Sequence, residues 1–269
     1  MAKGTLYIVA TPIGNLGDFS ARAVDTLKNA DIIACEDTRV TQKLLNHFDI
    51  RTKTISYHKF SEKERSNKLI AALNNGSDVA LVSDAGTPII SDPGSILVKE
   101  ARENNIKVVP IPGCCAAITA LSAIYNDGTF AFLGFFPQKL TDAKNILEYS
   151  KDFNLVFYES PNRIIKTLHF IKENLGSVDI SIARELTKIH EDINSFEISE
   201  MINYLETTTV KGEIVFVIHK REIKEEKDYF KRAQKLLKEG FSAKDVSKII
   251  SILYDVPKNE VYKKINETT

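Results

Sequence analysis

Three loops rich in glycine, proline and hydrogen-bonding side chains are the places in this sequence where chemistry could occur. The densest, residues 83–94 (SDAGTPIISDPG), follows the apolar run Val79–Val82, and residues 10–18 (ATPIGNLGD) and 110–116 (PIPGCCA) follow two further apolar runs. Glycine lets a backbone approach a ligand closely, proline fixes φ, and residues such as Asp84 and Thr87 offer hydrogen bonds. These loops predict a small ligand held largely by backbone groups. Taken alone, the 83–94 loop is equally well explained as a turn before an N-capped helix.

Several familiar kinds of site are disfavoured because their motifs are missing from the sequence. The chain contains neither the GxGxxG pattern of a dinucleotide site nor the GK[ST] of a P-loop. Its five histidines show no metal-ligand spacing with one another or with the cysteines, so no metal is expected. No GxSxG or Cys–His nucleophile signature occurs either.

Charged clusters follow three other apolar runs, at residues 35–39 (CEDTR), 158–163 (YESPNR) and 184–192 (RELTKIHED). Their plainest interpretation is helix capping and solvated surface charge. The last cluster directly follows an apolar strand pattern, which favours a position at the mouth of a sheet. In an extended conformation its alternation would place Arg184, Leu186, Lys188 and His190 on one side.

The elements that position these loops alternate between strand and helix patterns over the first 124 residues, which predicts a mostly parallel sheet covered by helices. Strands are expected at 5–10, 31–35, 53–56, 79–82 and 107–111, and helices at 21–29, 38–48, 62–74, 96–104 and 116–124. Loops at the carboxyl ends of neighbouring strands line one crevice, so we expect the three Gly/Pro-rich loops to meet there.

A second α/β unit follows the linker-like stretch 125–129 (YNDGT). Its strands are expected at 130–135, 155–158, 180–184 and 213–219, and its helices at 140–151, 162–174 and 199–206. We therefore predict α/β domains over residues 1–124 and 125–220, and a helical tail over 221–269. In the tail, Ser242 and Asp245 predict a capping box. The last two helices resemble a helix-turn-helix that could meet nucleic acid, although a small packed cap is favoured by pattern alone.

Composition limits the broad class of protein. The chain of 269 residues has 36 Lys+Arg and 36 Asp+Glu, so its net charge is zero. This excludes a nucleic-acid-binding protein that is basic over its whole surface but allows a local basic patch. Basic residues outnumber acidic ones from Lys220 onward. Three cysteines without a CxxC pair suit a reducing compartment. We find neither a signal-peptide pattern nor an apolar run of membrane-spanning length, and we expect a cytoplasmic protein without a membrane partner.

Six motifs, taken together and in order, resemble the ribosomal RNA methyltransferases of the tetrapyrrole (corrin/porphyrin) methylase superfamily. They are ATPIGNLGD (10–18), EDTR (36–39), SDAGTP (83–88), SDPG (91–94), FYESP (157–161) and RELTK (184–188), and the resemblance covers nearly the whole chain. It implies two α/β domains with S-adenosylmethionine (AdoMet) in the cleft between them, and usually a homodimer. The implied reaction is AdoMet-dependent 2′-O-methylation of a cytidine ribose in the decoding region of 16S rRNA, with the small ribosomal subunit as partner.

The resemblance also implies which residues hold the cofactor. The predicted AdoMet contacts are Pro12, Asp84, Gly86, Thr87, Pro88, Cys115, Ala116, Tyr158 and Ala183. Cys114 and Cys115 stand where the family usually has Pro-Ser, and a thiol is a weaker hydrogen-bond partner than a hydroxyl. Residues 57–62 (YHKFSE) also differ from the family's usual stretch.

For catalysis, we hypothesise that Lys188, or a carboxylate among Glu159, Glu185 and Asp37, assists deprotonation of the weakly acidic 2′-hydroxyl. The residues predicted to hold RNA phosphates are Arg39, Arg163 and Arg184. One rival function is methylation of a small, tetrapyrrole-like acceptor, against which stand the variant Gly86-Thr87 loop and the tail. The other is a non-catalytic ribosome-binding protein that keeps AdoMet as a structural ligand, against which stand the intact charged clusters.

Overall fold

The chain divides into two compact units, Met1–Lys220 and Arg221–Thr269. We describe both from a computed structural model of residues 2–58, 62–124, 128–221, 229–254 and 256–266. The predicted boundary at residues 125–127, residues 59–61 of the stretch that departs from the family, and residues 222–228 of the charged segment before the tail lie outside the described residues. The division of the first unit into two domains stays a prediction.

The first half of the larger unit contains a five-stranded, all-parallel sheet with the strand order β3-β2-β4-β1-β5. Its strands are β1 (Thr5–Val9), β2 (Ile32–Cys35), β3 (Lys53–Ser56), β4 (Val79–Val82) and β5 (Lys107–Ile111), and its helices are α1 (Ala21–Asn29), α2 (Thr38–His47), α3 (Glu62–Asn74), α4 (Ser95–Glu103) and α5 (Ala116–Ala123). All four residues of β4 are buried because apolar clusters cover both faces of the sheet. Since β4, β1 and β5 are neighbours, the three Gly/Pro-rich loops leave the same edge, as predicted.

The second half contains a mixed sheet with the strand order β6-β7-β10-β8-β9. Its strands are β6 (Phe130–Phe135), β7 (Asn154–Glu159), β8 (Asp179–Arg184), β9 (Asp192–Glu197) and β10 (Ile214–Ile218), and its helices are α6 (Leu140–Leu147), α7 (Ile164–Leu175) and α8 (Ile198–Thr207), with a 3-10 turn at Glu148–Lys151. Strands β6 and β7 are parallel, whereas the other three pairings are antiparallel. The predicted α/β class, with two sheets and C-terminal helices, is confirmed.

The segment between β8 and β9 corrects one prediction from the sequence. Residues 185–190 form successive turns, and Glu185 and Thr187 have φ angles of 50° and 66°, so this segment is not extended. The expected alternation of Arg184, Leu186, Lys188 and His190 on one side is therefore wrong. Strand β9 was not predicted, because its sequence DINSFE lacks the continuous apolar run of a central strand and forms the edge of the sheet.

Apolar packing joins the two halves of the larger unit. Ile13 and the buried face of α5, including Ala117 and Ala120, lie in one cluster with Val156 of β7 and Val215 of β10. A separate cluster fills the opposite face of the second sheet, between α7, α8 and the strands. The loops that leave both sheets are therefore anchored to close-packed cores.

The smaller unit contains three helices, α9 (Tyr229–Lys238), α10 (Ala243–Tyr254) and α11 (Lys258–Asn266), around a small apolar core of its own. The Ser242 hydroxyl accepts a hydrogen bond from the backbone N–H of Asp245 at 3.2 Å, which confirms the predicted N-cap of α10. In return, Ser242 donates to the Asp245 carboxylate at 2.5 Å. Among the helices in the described parts of the chain, none combines the length and apolar character needed to cross a bilayer.

Candidate functional site

A cavity of about 460 Å³ opens at the carboxyl ends of the parallel strands, between loops from both halves of the larger unit. Loops after β1, β4 and β5 form one side, and residues of β7, of β10 and of the 185–188 turn form the other. Six of the nine residues predicted to hold AdoMet line it, namely Asp84, Gly86, Thr87, Cys115, Ala116 and Tyr158. Of the four residues considered for catalysis, Glu159, Glu185 and Lys188 line it too, whereas Asp37 is not among the described residues that do.

The loops after β1 and β4 are fastened to each other by their backbones. The Thr11 N–H donates to the Gly86 carbonyl at 2.9 Å, and the Gly86 N–H donates to the Thr11 carbonyl at 3.1 Å. The hydroxyls of Thr11 and Ser83 also donate to carbonyls within this turn. Gly86 has a φ of 82°, a conformation that a side chain disfavours, so the tight turn explains this glycine.

The loop after β5 connects this turn to the second sheet. The Thr87 hydroxyl donates to the Cys114 carbonyl at 2.9 Å, and the Ala117 N–H donates to the Tyr158 hydroxyl at 3.3 Å. Burial raises the pKa of the Tyr158 phenol, so this group stays protonated. Phe135 packs edge-on against the Tyr158 ring, with 5.6 Å between ring centroids. This wall of the cavity is thus built from backbone groups and aromatic rings.

The turn after β8 brings a cation, Lys188, to the side of the cavity that β7 and β10 also form. The Lys188 ammonium lies 2.9 Å from the Glu185 carboxylate. Both side chains pass close to a glycine, because a Cβ on Gly14 would lie 2.7 Å from Lys188 Cγ and a Cβ on Gly212 would lie 1.7 Å from Glu185 Oε1. The positive φ angles of Glu185 and Thr187 cost energy that is typical of functional turns.

Four carboxylates that the sequence analysis did not assign to catalysis also line the cavity. They are Glu36, Asp84, Asp92 and Glu213, of which only Asp84 was predicted as a contact. Burial, followed by the charges of Glu36, Asp84 and Glu213, raises the pKa of Asp92 to about 6. Burial also raises the pKa values of Glu36 and Asp84. The sequence signal for Asp92 was the motif SDPG at 91–94, which places an acidic residue before proline and glycine in the 83–94 loop.

Glu159 is buried and already has several partners. Its side chain is 1% exposed and accepts hydrogen bonds from the Ser160 N–H and the Thr167 hydroxyl, both at 2.8 Å. Arg163 pairs with it at 3.2 Å and also donates to the Phe136 carbonyl. This arrangement suits a residue that fixes the turn after β7.

Three predicted AdoMet contacts, Pro12, Pro88 and Ala183, are not among the described residues that line the cavity. Pro12 directly follows Thr11 in the fastened turn, and Pro88 is a buried neighbour of Thr87. Ala183 is fully buried in β8, within the apolar cluster that Tyr158 packs against. The structure thus places all three behind or beside the wall that the other contacts form.

The three arginines predicted to bind RNA lie in different surroundings, and none is among the described residues lining the cavity. The Arg39 side chain is 87% exposed and pairs with Asp37 at 2.6 Å, which lowers the pKa of that carboxyl to about 2. Arg184 is 13% exposed and pairs with Asp192 at 2.5 Å, donating also to the Thr209 carbonyl. Arg39 is therefore presented to solvent, whereas Arg184 joins the ends of β8 and β9.

Comparison with known proteins adds to this geometry. Residues 5–202 match the family model of tetrapyrrole (corrin/porphyrin) methylases. A protein of Halalkalibacterium halodurans named ribosomal RNA small subunit methyltransferase I is 42% identical, over 97% of this chain and 94% of its own length. The Vibrio cholerae protein of the same name is 43% identical, over 96% of this chain and 93% of its own length.

Solved structures of more distant proteins share the fold. The methyltransferase CobJ superimposes with a TM-score of 0.62 at 17% identity, covering 81% of this chain and 94% of CobJ. Diphthine synthase superimposes with a TM-score of 0.61 at 15% identity, covering 80% of this chain and 90% of its own.

Proposed function

We propose that this chain, which belongs to the tetrapyrrole (corrin/porphyrin) methylase family of AdoMet-dependent methyltransferases, methylates ribosomal RNA of the small subunit. We place the reaction at the ribose 2′-hydroxyl of a cytidine in the decoding region of 16S rRNA. The observation that carries the assignment to ribosomal RNA is the similarity to relatives named ribosomal RNA small subunit methyltransferase I, at 42% and 43% identity over nearly the full length. The choice of nucleotide and atom rests on the resemblance of the six sequence motifs. Relatives this similar usually keep the arrangement of their sites.

The residues around the cavity fit AdoMet. A volume of about 460 Å³ lies in the range of small-molecule sites, and the walls combine apolar groups with a few polar ones. Gly86, Thr87, Cys115 and Ala116 would hold it through backbone groups, and Tyr158 would pack against it. The carboxylates of the cavity suit its positively charged sulfonium and ammonium groups. Pro12, Pro88 and Ala183 would act by shaping the loops and the strand behind these contacts.

When bound, AdoMet supplies a methyl group on a positively charged sulfur, and the residues of the chain position the acceptor and exclude water. Lys188, held by Glu185, donates hydrogen bonds toward the acceptor oxygen as negative charge develops there. Glu159 keeps the turn after β7 in place through Ser160 and Arg163, which makes it a positioning residue. We also propose a cytoplasmic homodimer, as the resemblance implies.

The rival small-molecule acceptor is less consistent with the charge of the cavity. Tetrapyrrole precursors carry several carboxylates, and six carboxylate side chains among the described residues already line this space. A neutral sugar hydroxyl meets no such repulsion. The charge of the site therefore supports the RNA acceptor over an acidic small molecule.

The proposal is tested with purified protein, labelled AdoMet and small ribosomal subunits from cells that lack this methylation, followed by nucleoside mass spectrometry. We expect 2′-O-methylcytidine with the wild-type protein and none with Gly86→Trp, whose side chain fills the cavity. Gly86→Ala is the matched control because it carries the same backbone penalty at φ 82°, while its Cβ finds ordinary contact distances of 3.4 and 3.5 Å. AdoMet binding without label in the RNA would refute the RNA acceptor and favour a small molecule.

A further inference from the structure

Asp92 lies at a fixed position in the cavity wall. It is half-buried in the loop between β4 and α4, next to Pro93. The end of that loop is held by Glu62, whose Oε1 accepts the N–H of Gly94 at 2.9 Å and of Ile96 at 3.3 Å. Glu62 in turn accepts a hydrogen bond from the Tyr57 hydroxyl at 3.2 Å. The end of this loop, two residues after Asp92, is therefore anchored to α3.

Other carboxylates near the cavity already have close partners of their own. Glu185 pairs with Lys188 at 2.9 Å, and Asp37 pairs with Arg39 at 2.6 Å. Glu159 accepts several hydrogen bonds in a buried turn, as described above. Such partners occupy the carboxylate oxygens and leave them less available to an acceptor hydroxyl.

The surroundings of Asp92 favour its neutral, protonated form. The groups that act on it are the carboxylates of Glu36 at the end of β2, Asp84 at the end of β4 and Glu213 before β10, together with the Ser83 hydroxyl. Tyr158 of β7 also faces it, and Lys188 lines the same cavity. Burial and three like charges raise its pKa to about 6, which is close to the range in which general bases work best.

We propose that Asp92 is the general base of the methyl transfer, accepting the proton of the acceptor hydroxyl. This inference rests on the proposed function. As the O–H bond breaks, its proton passes to the Asp92 carboxylate and the oxygen attacks the methyl carbon. The new O–C bond forms while the C–S bond breaks, and that electron pair remains on sulfur as a neutral thioether. After the products leave, Asp92 releases its proton to water.

The test compares wild type, Asp92→Asn and Asp25→Asn on small ribosomal subunits in single-turnover reactions from about pH 5 to about pH 9. Asp25→Asn is the matched control because it removes an exposed carboxylate on α1. AdoMet affinity is measured for each protein by calorimetry, and folding by thermal denaturation. Asparagine has nearly the shape of aspartate, so the fold is expected to persist.

We expect the wild-type rate to rise with pH and to level off above about pH 6, as the base becomes ionised. Asp92→Asn should be slower by about 100-fold or more, without this inflection, and with AdoMet affinity within about threefold of wild type. Asp25→Asn should behave as wild type. A rate for Asp92→Asn close to that of wild type, or a retained inflection, would overturn the assignment, as would parallel losses of rate and AdoMet affinity.

The same experiment distinguishes a failure of the proposed function from a failure of the role assigned to Asp92. If the wild-type protein binds AdoMet but produces no 2′-O-methylcytidine, the proposed function fails, and the role of Asp92 falls with it. If the wild type produces it and Asp92→Asn does so equally fast, only the role of Asp92 fails.

Discussion

Gly14→Ala perturbs the candidate site while leaving the conformational demands of the backbone unchanged. Gly14 has no left-handed φ, so alanine is allowed there. The added Cβ would lie 2.7 Å from Lys188 Cγ, 2.9 Å from Lys188 Cε and 3.0 Å from the Leu186 carbonyl oxygen. The substitution therefore acts through the position of the Lys188 side chain.

The size of the effect follows from these distances. Ordinary carbon contacts begin at 3.4 Å, so Lys188 must move by about 1 Å, away from its place 2.9 Å from Glu185. A displacement of about 1 Å in a positioning group costs about 100-fold in rate. The Lys188–Glu185 pair is partly exposed, and its loss should lower the free energy of unfolding by at most about 1 kcal/mol. Activity should thus fall far more than stability.

Single-turnover methylation of small ribosomal subunits and urea denaturation measure these two quantities. Gly17→Ala is the control, since it lies in the same loop without a left-handed φ, and the nearest atom to its Cβ is the end of the flexible Asn15 side chain at 3.1 Å. We expect Gly17→Ala to keep nearly full activity. Equal activity of the two variants would show that the placement of Lys188 over Gly14 is irrelevant to turnover, and equal losses of activity and stability would point to misfolding instead.

Three further outcomes are expected in chemical denaturation. Asp92→Asn should raise the free energy of unfolding by about 1 kcal/mol at about pH 8 and leave it unchanged near pH 4, because the folded protein disfavours the charged form of Asp92. A rise in its pKa from 3.8 to about 6 is worth about 3 kcal/mol, which is then discounted because the side chain is partly exposed. Arg184→Lys should lower it by about 1–3 kcal/mol at neutral pH, and by less in acid, where Asp192, whose pKa is lowered, takes up a proton. Gly94→Ala should lower it by about 2 kcal/mol or more, since its φ is 138° and its Cβ would lie 2.6 Å from Leu81.

The first sheet and its crevice were predictable because local patterns and topology agree there. Strands β1, β4 and β5 are rich in apolar residues and lead into loops that contain glycine and proline, and a parallel sheet places the carboxyl ends of its strands at one edge. That is why the loops holding Gly86, Cys115 and Thr11 meet as expected. The strand and helix bounds differ from the predicted ones by one or two residues at several ends, where caps and frayed turns decide the last residue.

The second half was less predictable because its pairing depends on distant contacts. The charged run at 184–192 looks like an exposed strand or loop, yet Arg184 is drawn inward by Asp192 on the next strand. The turns at 185–190 then return the chain into an antiparallel partner that has no strong apolar pattern of its own. Side-chain pairing of this kind is set by the folded sheet and leaves no periodic signal in the sequence.

Asp92 illustrates the same limit for the site. Its loop was singled out from composition, but an aspartate before Pro-Gly reads locally as an ordinary turn residue. What distinguishes it is the approach of Glu36 and Glu213, which are respectively 56 residues earlier and 121 residues later in the chain. Its pKa is raised by burial and then by such neighbours, and both arise only once the two sheets have folded around the cavity.

The charge of the cavity also limits how an RNA can approach it under the proposed function. At an effective dielectric constant of about 20, a phosphate about 5 Å from one carboxylate is repelled by roughly 3 kcal/mol. Glu36, Asp84, Asp92 and Glu213 together therefore oppose entry of the RNA backbone, while a ribose hydroxyl can enter. Under that function the phosphates must remain outside this space, and Arg39, in the first turn of α2 with its side chain 87% exposed, is the predicted phosphate contact presented to solvent. Under the proposed function, an acidic cavity thus favours a single nucleotide that is drawn out of the RNA with its backbone left outside.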